Sequence, residues 1–111
     1  MSEIPLIAVV DDDEAIREAL QSLLRSVGVS AEMFGSAEDF WYAGQLQDMA
    51  CLIVDVRMPR MSGLELQRQL AAAHYLIPLI FITAHGDPAT RARALRAGAV
   101  AFLDKPFSDE V

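Results

Sequence analysis

Three consecutive aspartates, Asp11, Asp12 and Asp13, follow the apolar run Leu6 to Val10, and a fourth, Asp55, ends the apolar stretch CLIVD. Carboxylates gathered in one crevice repel one another unless a cation sits among them. A purely oxygen-based ligand set suits a hard divalent ion, magnesium above all. Asp12 and Asp13 have a second reading, because an aspartate just ahead of a helix caps its free amide groups. Asp55 opens no helix and has no such structural explanation. Thr83 and Lys105 end two further apolar runs, and Lys105 is the only lysine among nine basic residues. A hydroxyl and an ammonium facing a carboxylate and a divalent cation offer what a phosphoryl group requires: a hydrogen bond on one side and charge neutralisation on the other. The residue types thus point to phosphoryl chemistry at an aspartate.

To bring these side chains together, the chain must set several strand ends side by side. Apolar runs alternate with helical patterns, without an internal repeat or low-complexity tract, which is the pattern of an α/β sheet. Leu6 to Val10, Leu52 to Val54 and Leu79 to Ile82 are continuously apolar, as strands covered on both faces are. Val29 to Phe34 is more polar and Ala99 to Leu103 is rich in alanine, which places both nearer the edges. Four helices lie between these runs. In the first, Ile16, Leu20, Leu23, Leu24 and Val27 form an apolar stripe that Gly28 terminates. Ser36 with Asp39 and Ser62 with Glu65 have capping-box spacing, opening helices at Ala37 and Gly63. Asp87 and Pro88 open the fourth, and Gly98 closes it. The order βαβαβαβαβ with right-handed crossovers predicts a doubly wound, five-stranded parallel sheet, for which the order 2-1-3-4-5 is adopted. Ligands of such sheets bind beyond the carboxyl ends of the strands, where the aspartates fall.

A chain of 111 residues forms one domain, and 53% apolar against 23% charged residues excludes a disordered segment. The net charge of -7 leaves no electrostatic footprint for nucleic acid or anionic lipid. No apolar run approaches a membrane span, and the start MSEIP lacks the basic residues of a signal peptide. The single cysteine, Cys51, allows neither an intramolecular disulfide nor a cysteine-based zinc cluster. These features predict a cytoplasmic protein. Phe107 to Glu110 reads as the start of a fifth helix, so the expectation is a fragment cut before that helix. Apolar surface beside the first helix would then be left wet.

The segments VVDDDE, IVDVRMPRMSGLEL, ITAH and FLDKPF, in this order and spacing along the whole chain, resemble the receiver domain of two-component response regulators. The implied fold is flavodoxin-like, of the CheY-like type. DVRMPRMSG, with His85, Gly86 and Asp87 after the threonine, is similar to the FixJ/NarL-type receivers in particular. The resemblance implies that Asp55 is the phosphoacceptor, attacking a histidine kinase's phosphohistidine or a small phosphodonor to give an aspartyl phosphate. It implies Mg2+, with Mn2+ as a substitute, held by Asp12, Asp55 and the backbone carbonyl of Arg57, while Asp11 acts largely through coordinated water. The family's acid pair follows the last apolar residue of the first strand, here Val10, which resolves the triplet to Asp11 and Asp12. Lys105 would pair with the phosphoryl oxygens. Thr83 and the backbone amide of Ala84 would bind the phosphoryl group once attached and draw the following loop inward. Phe102 occupies the aromatic switch position and would swing inward with Thr83; as an inner-strand phenylalanine it reads equally well as core. Arg57 and His85 occupy positions that tune phosphoryl lifetime. The bond between Lys105 and Pro106 is a candidate cis peptide.

The output so implied is a bacterial signalling switch that assists only its own phosphorylation and dephosphorylation. Its output face would be the fourth helix and fifth strand, with a C-terminal DNA-binding domain in the full-length protein. The implied partners are a sensor histidine kinase and a second copy, joined through that face or by segment swapping; this segment itself is expected to bind neither nucleic acid nor membrane. Two alternatives stand beside this reading. One is a degenerate receiver that only binds proteins. The other is a haloacid-dehalogenase-like phosphatase, which needs an acid/base aspartate two residues beyond the nucleophile, where this chain has Arg57. No glycine-rich phosphate-binding fingerprint follows the first strand. His74 reads as surface, Cys51 as small core filler, and of Phe40 and Trp41 one should pack inward. Met58 and Met61, flanking Pro59, read either as an adaptable partner surface or as loop packing.

Overall fold

Helix ends in this chain are set by the groups that satisfy their free backbone donors and acceptors. The computed structural model describes residues 6–43, 46–84 and 86–105. Strands β1 (Leu6–Val10), β2 (Ser30–Phe34), β3 (Met49–Asp55), β4 (Leu79–Thr83) and β5 (Ala101–Asp104) alternate with helices α1 (Glu14–Ser26), α2 (Ala37–Trp41), α3 (Gly63–Ala72) and α4 (Pro88–Arg96). A 3-10 turn, Leu46–Asp48, precedes β3. Asp13, Ser36, Ser62 and Asp87 cap the four helices, each accepting a backbone N–H from the first turn. Around Ser62 the exchange is reciprocal: Glu65 Oε1 takes the Ser62 amide at 2.8 Å while the Ser62 hydroxyl takes the Glu65 amide at 3.1 Å.

Three helices end in the same motif. Gly28 follows α1 with φ of 82°, and the Gly28 and Val29 amides bond back to the carbonyls of Arg25 and Leu24. Gly98 follows α4 with φ of 110°, and the Gly98 and Ala99 amides bond to Leu95 and Ala94. This is the Schellman closure, which spends the two amides after the cap on helix carbonyls. It corrects two boundaries read from sequence: Val29 and Ala99 belong to helix caps, so β2 begins at Ser30 and β5 at Ala101. At the other end β5 runs on to Asp104, and β4 includes Thr83. After α3 the left-handed position is filled by His74, φ 66°, an exposed residue whose amide and that of Tyr75 close the helix on Ala71 and Leu70. No glycine signals this stop. β3 is also longer than its apolar run suggests, starting at Met49, because its first residues pair with Leu6 and Ile7 across an irregularity in register.

The five strands form one parallel sheet in the order β2-β1-β3-β4-β5. Its register brings Val10 opposite Val54, Asp55 opposite Ile82 and Thr83 opposite Asp104, so the strands end near one level. One face carries the larger core, in which Ala8, Val10, Leu52, Val54, Phe81 and Phe102 meet Phe40 of α2, Leu66 and Leu70 of α3 and Ala94 of α4. The other face packs Val9 and Ile82 against Leu20 of α1, with Ile16, Leu24, Met33 and Ile53 partly buried around them. A fully buried Leu or Phe side chain contributes roughly 1.5–3 kcal/mol of transfer free energy. Among the described residues α1 is the helix packed on this second face, and Leu103 of β5 is 51% exposed. The expected fifth helix and Pro106 lie outside the described residues. No helix among the described residues is long and apolar enough to cross a membrane.

The His74 conformation yields a stability prediction. A non-glycine residue in the left-handed region costs roughly 1–2 kcal/mol, and His74 is solvent-exposed. His74→Gly is therefore expected to stabilise the fold by about 1 kcal/mol, net of glycine's extra unfolded-state entropy, measured as a higher urea midpoint with unchanged slope. A lower midpoint would mean that the imidazole makes a contact outweighing the backbone cost.

Candidate functional site

Two loops and two strand ends converge where β1, β3, β4 and β5 stop. Asp11 leaves β1 fully buried; its amide donates to the Phe34 carbonyl of β2 at 3.1 Å, and its Oδ1 accepts the Asp13 amide at 2.9 Å. Asp13 turns away into the capping role, its Oδ1 accepting from Ala15 N at 2.9 Å. Asp12 is exposed. Asp55, the last residue of β3, is 5% exposed, and its Oδ1 accepts the Arg57 amide at 3.2 Å. One carboxylate oxygen from each of Asp11, Asp12 and Asp55 lies within 4.8 Å of the other two. The structure thus gathers these three and gives Asp13 to the helix.

Lys105, just past β5, places Nζ 3.0 Å from Asp55 Oδ2, to which it donates a hydrogen bond, and 3.1 Å from Asp11 Oδ2. Its side chain is 15% exposed. Asp11 Oδ2 is buried and, despite the ion pair, accepts no aligned hydrogen bond. Burial pushes the Asp11 carboxyl above the ordinary aspartate range, against the backbone hydrogen bond from Asp13 and the contact with Lys105, which pull it down. Burial alone would lower the Lys105 pKa, but the hydrogen bond to Asp55 and the ion pair with Asp11 hold it above the usual lysine value. The ammonium therefore stays charged throughout the physiological range.

Three carboxylates against one ammonium leave an excess of negative charge. At an effective dielectric of about 20, two like charges near 5 Å repel by roughly 3 kcal/mol. A divalent cation would offset this excess, and an oxygen-only donor set with one unsatisfied buried oxygen fits a hard ion such as Mg2+. The residues present therefore fit such a cation.

Thr83 ends β4 at 2% exposure, and its carbonyl accepts the Lys105 amide at 2.7 Å, tying the β4 and β5 ends together. Ala84 follows it at the surface. Phe102 is 4% exposed, its ring centroid 6.1 Å from that of Phe81. The ring is therefore already inward in this structure, where the switch reading anticipates a swing. His85 lies outside the described residues. The Arg57 side chain is 71% exposed, and its guanidinium stands 4.0 Å from the Asp87 carboxylate at the start of α4. Met58 is buried in the core, which assigns it to loop packing. Phe40 is fully buried, and Trp41 is partly buried with its ring edge-on to Tyr75. Cys51 is partly buried, and desolvation raises its thiol pKa.

Two further residues shape the site. Arg17 of α1 donates from Nη1 to the Asp11 carbonyl at 2.7 Å, fixing the turn that carries the first acid. Gly63 opens α3 so close to β3 that a Cβ there would lie 2.3 Å from the Asp55 carbonyl oxygen and 3.0 Å from the Phe81 ring. Only the absence of a side chain allows α3 to seat against the residue that carries the candidate chemistry.

The ion pairs lead to a test by removal of the cation. Lys105→Met leaves two buried carboxylates without their ammonium, which should destabilise the chain by about 2 kcal/mol at neutral pH, less than for a fully enclosed pair because the site opens to solvent. In the variant, the Asp11 carboxyl, which burial already pushes above the ordinary aspartate range, binds a proton more readily in the folded state. The deficit should therefore shrink as pH falls toward the unfolded aspartate value and widen as pH rises through the folded one. Millimolar Mg2+ at neutral pH should shrink it as well. Urea denaturation of both proteins with and without Mg2+, and at about pH 5, checks this; a deficit unchanged by either condition would contradict the electrostatic account.

Comparison with known proteins agrees with this geometry. The family model described as response regulator receiver domain matches residues 7–111. The response regulator protein TodT of Pseudomonas putida F1 is 50% identical over 105 residues, covering 95% of this chain and 46% of that protein. TmoT of Ectopseudomonas mendocina is 51% identical over 106 residues, covering 95% and 48%. The crystal structure of FixJ-N superposes with a TM-score of 0.83 at 41% identity, covering 98% of this chain and 86% of that one. The chain spans about half the length of the curated relatives it matches. On sequence and fold, this chain belongs to the response regulator receiver domain family, of the FixJ/NarL type.

Proposed function

We propose that this domain is a phosphorylation-controlled switch in which Asp55 accepts a phosphoryl group. The observation that carries the reading is the position of Asp55: a nearly buried carboxylate at a strand end, 3.0 Å from a lysine ammonium and grouped with two further acids. An Asp55 carboxylate oxygen attacks the phosphorus of a phosphohistidine or of a small acyl phosphate. A new O–P bond forms as the N–P or acyl O–P bond breaks, and the imidazole or carboxylate leaves with the bond's electron pair. Lys105 neutralises charge on the phosphoryl oxygens. The Thr83 hydroxyl and the Ala84 amide donate hydrogen bonds to the group once it is attached. A Mg2+ or Mn2+ ion held by Asp11, Asp12, Asp55 and the Arg57 carbonyl supplies further neutralisation when bound.

Binding of the phosphoryl group draws Thr83 toward Asp55 and, through Phe102, biases the α4–β5 face. Such a bias requires a two-state element, and the loop after β4 with the Phe102 ring provides one. The phosphodonor is a sensor histidine kinase in the cytoplasm. The whole protein carries a C-terminal DNA-binding domain and pairs with a second copy through the α4–β5 face; support comes from relatives about twice as long, among them the transcriptional regulatory protein FixJ. A phosphatase reading is disfavoured because position 57 holds an exposed arginine paired with Asp87, where an acid would be required. A binding module without phosphoryl chemistry would have no use for the intact set of Asp11, Asp12, Asp55, Thr83 and Lys105.

Intact mass after incubation with acetyl phosphate and Mg2+ tests the proposal. One phosphoryl adduct is expected on the native chain, lost with chelator and absent from Asp55→Asn. Lys105→Met should cut the yield at least tenfold, in line with the loss of one charge-stabilising donor. A folded chain that takes no adduct, or an adduct that persists in Asp55→Asn, would overturn it.

A further inference from the structure

Gly86 stands in the loop between β4 and α4 without a left-handed φ; among the described residues the glycines that adopt one are Gly28 and Gly98. The backbone at 86 therefore does not require glycine. The space does. A Cβ built on Gly86 would lie 2.9 Å from Cε1 of the Phe102 ring, 2.9 Å from the Thr83 methyl and 3.3 Å from Asp104 Oδ1. Two of these three neighbours are the residues assigned to the switch. Phe102 is also held on its other sides, its ring against Phe81 and its carbonyl accepting from Arg91 Nη1 of α4 at 3.1 Å.

We infer that Gly86 is the positioning residue for Phe102: the missing side chain at 86 is the room that the inward ring occupies beside Thr83. With that room present, the ring lies inward, as the 4% exposure of Phe102 records. Any side chain at 86 would make the inward ring conditional on a displacement of the loop or of Thr83. Of the crowded atoms, the ring edge is the free end of a side chain and yields first, rotating toward solvent along the α4–β5 face. Gly86 thus sets how far the inward state is populated at rest. The consequence for signalling rests on the switch proposed above; the steric relation between Gly86 and Phe102 does not.

The test labels the five phenylalanines with 3-fluorophenylalanine and assigns the Phe102 fluorine signal by its loss in Phe102→Leu. In unphosphorylated Gly86→Ala the Phe102 signal is expected to shift toward the solvent-exposed position. The urea midpoint should fall, although Ala for Gly at an ordinary φ would by itself raise it. In the Phe102→Leu background, which lacks the Cε atoms, the fall should be at least halved. Should Gly86→Ala fail to fold, recovery of folding in the double variant makes the same point. An unmoved Phe102 signal, or an equal loss of midpoint in both backgrounds, would overturn the inference. Mass analysis with acetyl phosphate separates the two readings: a native chain that takes no adduct sinks the acceptor proposal and leaves the fluorine result standing.

Discussion

The ammonium of Lys105, held between two nearly buried carboxylates, is the contact around which the upper end of this molecule is organised. Asp11, Asp55 and Lys105 come from strands that are not all neighbours: β1 and β3 are adjacent, while β5 lies beyond β4. Strands in a sheet stand about 4.8 Å apart, so β5 and β3 are roughly 10 Å apart. A long, flexible arm with a compact charge at its end spans that gap, and lysine has one. Burying Asp11 and Asp55 without this arm would leave uncompensated charge in a low-dielectric setting, which costs several kcal/mol. The register of the sheet, which levels the strand ends, is what makes the single contact possible.

One ammonium does not balance the acids it serves. The site retains negative charge and a buried carboxylate oxygen with no aligned donor. Natural interiors seldom leave such groups unsatisfied, and where they do a functional ligand is a common reason. The same imbalance that weakens the fold fits the crevice to a divalent cation and, on the function proposed above, to a phosphoryl group. Stability and chemistry are in opposition here, and the larger core beneath the site, built on Phe40, Leu52, Leu66 and Phe81, supplies the reserve.

Close approach of backbone governs the rest. Gly63 lets α3 seat against Asp55, and Gly86 leaves the space that the Phe102 ring fills. Neither glycine serves a turn. Both convert the absence of a methyl group into the position of a residue assigned to the chemistry or its output, and both couple the crevice to a helix: α3 in one case, α4 in the other. Capping fixes where those helices begin, through Ser62 and Asp87, so a change at a cap would be felt in the crevice.

Much of this was legible in the residues. Continuous apolar runs marked the central strands, because a parallel sheet buried on both faces admits no alternation. Capping residues marked helix starts, and the acids at strand ends marked the crevice, because open parallel sheets expose their carboxyl ends. Sequence alone determined the fold class and the candidate acids, since these follow from local periodicity and chirality, while the strand order followed from the resemblance to a known fold. Only the tertiary structure decided that His74 closes α3 in a conformation usually reserved for glycine. Only it placed Arg17 on the Asp11 carbonyl and the Phe102 ring inward over Gly86. These outcomes depend on distances between segments far apart in the chain, and a linear pattern carries no information about which atoms of two such segments will compete for the same volume or share the same charge.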